Sequence, residues 1–198
     1  MGNFNDKVVL VRGAGTGAGR AVAEAFASRG ATLAVNDVTP INLDETVRRI
    51  RDAGGQARDY VEDIAKKIPI QTLLNQVLDD LGHIDILVNC AEVEPAQALL
   101  DMDEWDWQRT LDVNLSGAFL LTQSLGRIMR EKGGGVIVHV GERAKGPERR
   151  AAYFASKAGL AAFSALAAVE LAEVGVHVYH VQPDEVRDLV AEVLALCV

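Results

Sequence analysis

Positive charge is in short supply in this chain: 20 lysines and arginines stand against 28 aspartates and glutamates, a net charge of -8. Nucleic acid and anionic membrane surfaces both demand a basic face, so the deficit argues against either as a partner. Cysteine is almost lacking. Its two copies, Cys90 and Cys197, fit no metal-ligand or redox spacing, and His83, His177 and His180 have no acid or cysteine at ligand spacing, so no metal is expected. Cys90 follows an apolar run and reads as a small buried hydrophobe. No charged-then-apolar leader opens the chain, and no apolar run reads as long enough to cross a bilayer. A reducing, cytoplasmic setting is the expectation that follows.

Aromatic residues are also scarce, at 5%. What replaces them is alanine, valine, leucine and glycine, within a hydrophobic share of 49% over 198 residues. That is material for one domain, residues 1–198, with helices packed closely on a buried sheet. The periodicity predicts strands at 7–11, 32–36, 57–61, 84–90, 136–140 and 176–181. Between and after them it predicts helices at 20–29, 43–53, 68–81, 103–132 (a long stretch open to a break near its start), 152–174 and 184–197, with glycines closing several of them. The fold class is α/β: a doubly wound, mostly parallel sheet of about six strands with helices on both faces.

The strongest local signal lies between the first strand and first helix: Gly13-Ala14-Gly15-Thr16-Gly17-Ala18-Gly19. Glycines at such a turn let the backbone approach a diphosphate while helix N–H groups face its charge. The next strand ends at Asp37, whose carboxylate can accept hydrogen bonds from both hydroxyls of a ribose. It would repel a 2′-phosphate, and no basic residue adjoins Thr16 or Asp37 in the sequence to attract one. NAD is therefore expected in preference to NADP. Farther on, Tyr153 and Lys157 stand one helical turn apart, so a phenol and a cation share one helix face. A surface tyrosine beside a snorkelling lysine would give the same spacing.

Together these segments resemble the short-chain dehydrogenase/reductase family, of single-domain Rossmann type. Residues 12–19 resemble its TGxxxGxG motif, Asp63-Ile64 its adenine-contacting Asp-Val pair, and Asn89-Cys90-Ala91-Glu92 its NNAG. Asp112–Gly117 resembles its VNxxG helix, and Tyr153 with Lys157 its YxxxK pair. The resemblance implies hydride transfer between a nicotinamide cofactor and an alcohol or ketone. Tyr153 would act as acid/base, Lys157 would lower the phenol's pKa and hold the nicotinamide ribose, and Asn114 would carry a relay water. Gly13, Thr16, Gly17, Ala18, Gly19, Asp37, Asp63, Ile64, Asn89 and Ala91 would line the cofactor site with Tyr153 and Lys157.

Departures from that pattern matter as much. Arg12 replaces the threonine of the first motif, Glu92 the last glycine of NNAG, and Asp184 the glycine of a Pro-Gly. Glu142 stands where the family has the serine that orients the substrate carbonyl; an ionised carboxylate can only accept hydrogen bonds. Arg12 and Glu92 carry opposite charges at neighbouring strand ends, which predicts a salt bridge between them. The stretch after Pro183 reads as a late helix joined directly to the sixth strand, with the family's substrate lid and seventh strand missing. These changes predict weak or altered activity, or an inactive relative that binds nucleotide or a protein partner. Trp105 and Trp107 are expected in packing. The resemblance also implies a homodimer through helices 115–132 and 153–174.

Overall fold

The computed structural model describes residues 3–141, 146, 148–182 and 184–198. Six parallel strands form its sheet: β1 (Val8–Arg12), β2 (Thr32–Asp37), β3 (Gln56–Val61), β4 (Ile86–Asn89), β5 (Gly135–Val140) and β6 (Val176–Val181). Their order is β3-β2-β1-β4-β5-β6. All residues of β1 and β4 are buried, as expected of central strands covered on both faces. Alternate side chains feed two separate cores. Val9, Val11, Leu33, Val35, Ile86 and Val88 point to one; Leu10, Ala34, Leu87 and Ile137 point to the other.

Helices α1 (Gly17–Ala27), α2 (Pro40–Asp52) and α7 (Val186–Leu196) cover the first core, where Phe4 meets Phe26 edge-on at 4.8 Å between ring centroids. The other face carries α3 (Lys67–Leu81), α5 (Gly117–Lys132) and α6 (Ala151–Ala172). A short helix, α4 (Glu104–Leu111), runs into α5 through a π-helical turn at Asp112–Ser116. The strand order reverses between β1 and β4, and the crevice beyond their carboxyl ends is where ligands lodge in such sheets.

The predicted elements are all present, with shifts that have physical causes. Helix α1 begins at Gly17, three residues before the predicted start, because the glycine turn itself forms its first turn. Helix α2 begins at Pro40, whose fixed φ suits a first helical position. The predicted long helix over 103–132 is divided by the π turn. Asp103 caps α4, accepting from the N–H groups of Trp105 and Asp106. Trp105 is 70% exposed, so packing within the chain does not explain it, while Trp107, at 37%, has most of its surface covered. One sequence expectation needs correcting: α6 is, by length and composition alone, long and apolar enough to cross a membrane, with a mean hydropathy of 1.4. It serves instead as a helix partly buried against the sheet, where Tyr153, Ser156, Leu160, Ser164 and Ala167 face inward.

Candidate active site

A cleft of about 300 Å³ opens at the strand-order reversal, at the low end of the range for small-molecule sites. Of the residues expected to line a cofactor site, Gly13, Thr16, Gly17, Ala18, Gly19, Asp37, Asp63, Ile64 and Ala91 reach its wall. So do Arg12 and Glu92, the charged pair expected at this edge of the sheet, and Asn42, Arg109 and Val113, which sequence alone does not place there. Arg109 gives no signal of its own because it sits among the alternating charges of α4. Its guanidinium is 2.8 Å from Asp63, so the adenine-contacting candidate already has a cationic partner.

The glycine turn is shaped by close approach. Gly13 has φ +78, and a Cβ there would stand 2.7 Å from Ala91 Cα and N. At Gly19 a Cβ would run into the Gly13 carbonyl oxygen. Gly17, with φ +54, has open space where a Cβ would point and faces the cleft. Thr16 gives no side-chain cap to α1, and no acid stands in its first turn. Its leading N–H groups are thus available to an anion. The Asp37 carboxylate accepts from Gly15 N at 2.9 Å and Thr39 N at 3.1 Å, which fixes it at the cleft edge. Arg20 braces the turn from behind, donating to the carbonyls of Gly15 and Asn42 and to Thr46 Oγ1.

Because Gly19 cannot accept a Cβ and the obstructing atom is backbone, Gly19→Ala is expected to destabilise the chain by about 1–3 kcal/mol. Urea unfolding monitored by circular dichroism checks this; an unchanged midpoint would mean the turn has slack the structure does not show.

Behind the cleft runs a buried polar chain across three strands. Arg12, Asn89 and His139 occupy matched register positions on β1, β4 and β5. Arg12 Nη1 donates to Asn89 Oδ1 and to the Val113 carbonyl, each at 3.1 Å. Asn89 Nδ2 lies 3.3 Å from His139 Nδ1, and His139 Nε2 lies 3.0 Å from Thr122 Oγ1. With the amide donating to Nδ1, the ring proton sits on Nε2 and the imidazole is neutral. Burial holds His139 down to about 3, with the charges of His180, Arg12 and Lys157 acting the same way. Burial also lowers Arg12 to about 10, against the pull of Asp63. Asn89, expected to line the cofactor site, is therefore buried in this chain, 2% exposed, and not on the cleft wall.

The predicted Arg12–Glu92 salt bridge does not form. Arg12 turns beneath the π turn, its Nη2 close enough to Gly117 to stand 3.0 Å from a Cβ placed there. Glu92 turns the other way: its Oε2 is 2.7 Å from Lys157 Nζ and accepts from the Tyr153 hydroxyl at 3.2 Å. Lys157 also donates to the Val140 carbonyl at 3.1 Å and lies 5.5 Å from the Tyr153 ring centroid. Tyr153 is fully buried and Lys157 3% exposed. Asn114 stands in the π turn, where its Nδ2 donates to Val93 O and Ser156 Oγ at 3.0 Å each, and its Oδ1 accepts from Val93 N at 2.9 Å. The structure thus brings Tyr153, Lys157 and Asn114 into one buried cluster, joined to the cleft by Glu92. Glu142 lies outside the described residues. Among those described, no group of histidine, cysteine, aspartate and glutamate side chains could hold a metal ion.

Comparison with known proteins agrees with this architecture. Residues 7–192 match the short chain dehydrogenase family. An uncharacterised oxidoreductase of Thermotoga maritima is 38% identical over 183 residues, covering 91% of this chain and 72% of that protein. The NAD+-bound structure of a xylitol dehydrogenase superposes with a TM-score of 0.87 at 33% identity, covering 92% of this chain and 71% of that one. A metagenomic short-chain oxidoreductase in complex with NADP gives 0.90 at 31% identity, covering 98% and 92%. The chain belongs to the short-chain dehydrogenase/reductase family, a group of oxidoreductases that bind a nicotinamide cofactor.

Proposed function

We propose that this chain is an NAD-dependent oxidoreductase for an alcohol or ketone, working at an attenuated rate. The observation that carries the reading is the buried cluster in which Tyr153, Lys157 and Asn114 stand together behind a cleft built for a diphosphate. In it, Tyr153 gives its phenolic proton to, or takes it from, the substrate oxygen. Lys157 places a positive charge beside that phenol, which favours the phenolate. Asn114 ties the loop after β4 to α6 and so fixes the two elements that carry the reacting groups. Bound NAD would accept or supply the hydride. Attenuation follows from Glu92, whose carboxylate occupies hydrogen-bonding positions of both Tyr153 and Lys157.

Asp37 supports NAD over NADP, since a 2′-phosphate would meet its carboxylate. The variant Asp37→Asn keeps an acceptor for Gly15 N and removes the charge. The expected result is a fall of about tenfold or more in the NAD+ over NADP+ preference measured by calorimetry. Equal binding of the two cofactors to the unaltered chain would overturn the NAD assignment.

A second reading, a nucleotide-binding relative without turnover, is favoured by the complete burial of Tyr153. NADH oxidation measured across a panel of ketones and aldehydes separates the two: NAD binding with no turnover on any of them would select the second. Pairing of two copies through α5 and α6 suits both readings. Phe119, Leu166 and Val169 are 42%, 59% and 70% exposed there. A small-molecule substrate in a reducing compartment completes the proposal.

A further inference from the structure

Glu92 is on the cleft wall, while the two side chains it binds lie behind it. Its own side chain is 21% exposed, against 3% for Lys157. A ligand entering the cleft meets the phosphate-binding turn and Asp37 freely, but it can touch Lys157 or Tyr153 only after Glu92 has moved. The obstruction is strong because Lys157 would lose a charge-assisted contact of 2.7 Å in a place with little water.

We infer that Glu92 is an internal stopper, and that it cancels the affinity advantage a full dinucleotide would have over its nucleoside diphosphate half, ADP. This rests on the nucleotide-binding part of the function proposed above. The adenosine diphosphate portion fits a site that is ready in the resting chain. The nicotinamide portion binds only the state with Glu92 withdrawn, and a ligand's apparent affinity falls by the fraction of chains in its competent state. An open state populated at about 1–10% cancels about ten- to a hundredfold of the affinity that the second half of a dinucleotide would add. The same withdrawal precedes every turnover, so the stopper also accounts for attenuation without any change in Tyr153 or Lys157.

Calorimetry with ADP and NAD+ on the full chain tests the inference, with melting temperature as a check on folding. For the unaltered chain the two dissociation constants are expected within about threefold of each other. Glu92→Gly is expected to tighten NAD+ by about tenfold or more and to leave ADP within about threefold. Glu92→Ala, which keeps a Cβ should the glycine variant fold poorly, is expected to shift NAD+ in the same direction. The gain should disappear in Glu92→Gly combined with Lys157→Met, because the released lysine is what the dinucleotide gains. NAD+ binding more than about tenfold tighter than ADP in the unaltered chain would overturn the stopper, as would an NAD+ to ADP ratio unmoved in both single variants. If neither ADP nor NAD+ binds, the nucleotide-binding reading itself falls, and the stopper with it.

Discussion

Tyr153→Phe is expected to cut NADH-dependent ketone reduction by about a hundred- to ten-thousandfold, the range associated with loss of a positioned acid/base group. The substitution removes one oxygen from a fully buried ring. With it goes the hydroxyl's hydrogen bond to the Glu92 carboxylate, worth about 1.5–3 kcal/mol of stability. Turnover and urea unfolding measured on the same preparation therefore separate the chemical role from a structural one. A variant that turns over at the original rate would remove Tyr153 from the reaction, however well the rest of the cluster is formed. A variant with no turnover and a sharply lowered unfolding midpoint would show that the hydroxyl serves the fold first.

The second large effect is on acid stability, and it comes from His139. In the unfolded chain this imidazole takes a proton near its ordinary pKa of about 6.5. In the folded chain it does so only at about 3. Between those values the unfolded state binds more protons, so stability rises with pH and is lost on acidification, with a slope approaching about 1.4 kcal/mol per pH unit. The physical event is specific: a second ring proton would face the Asn89 amide, which donates to Nδ1, and would bring a cation between Arg12 and Lys157. His139→Gln keeps polar atoms for Asn89 and Thr122 and cannot titrate. Urea midpoints between pH 6.5 and 5, above the carboxylate range, are expected to fall steeply for the parent chain and much less for the variant. Burial lowers His180 as well, which leaves some slope in the variant. Parallel pH profiles would show that His139 is not the group responsible.

Much of this fold is legible in the sequence because its signals are local. The apolar runs at 7–11 and 84–90 carry central strands, and Gly82 and Gly133 end α3 and α5 in left-handed conformations. The cleft is legible for a similar reason, since Gly13 to Gly19 and Asp37 lie within one βαβ unit. What fails is the pairing of charges across the molecule. Arg12 and Glu92 are opposite charges at neighbouring strand ends, yet sequence carries no record of which way each side chain turns. Arg12 finds a carbonyl and an amide under the π turn. Glu92 finds Lys157, 65 positions away by the numbering. The π turn itself leaves almost no trace, because one added residue barely disturbs apolar spacing in a long helix.

That added residue has a consequence for how the chain can vary. At the π turn Gly117 N–H reaches back to the Asp112 carbonyl, one residue beyond the α-helical step. Deleting Leu115 or Ser116 would restore an unbroken ladder and rotate everything upstream relative to α5 by about 100°. Asn114 would then swing away from Val93 and Ser156, while the core-facing side of α5 stayed in place. The helix would survive such a deletion, and the cluster behind the cleft would come apart. This stretch of helix has its residue count set by the site it serves.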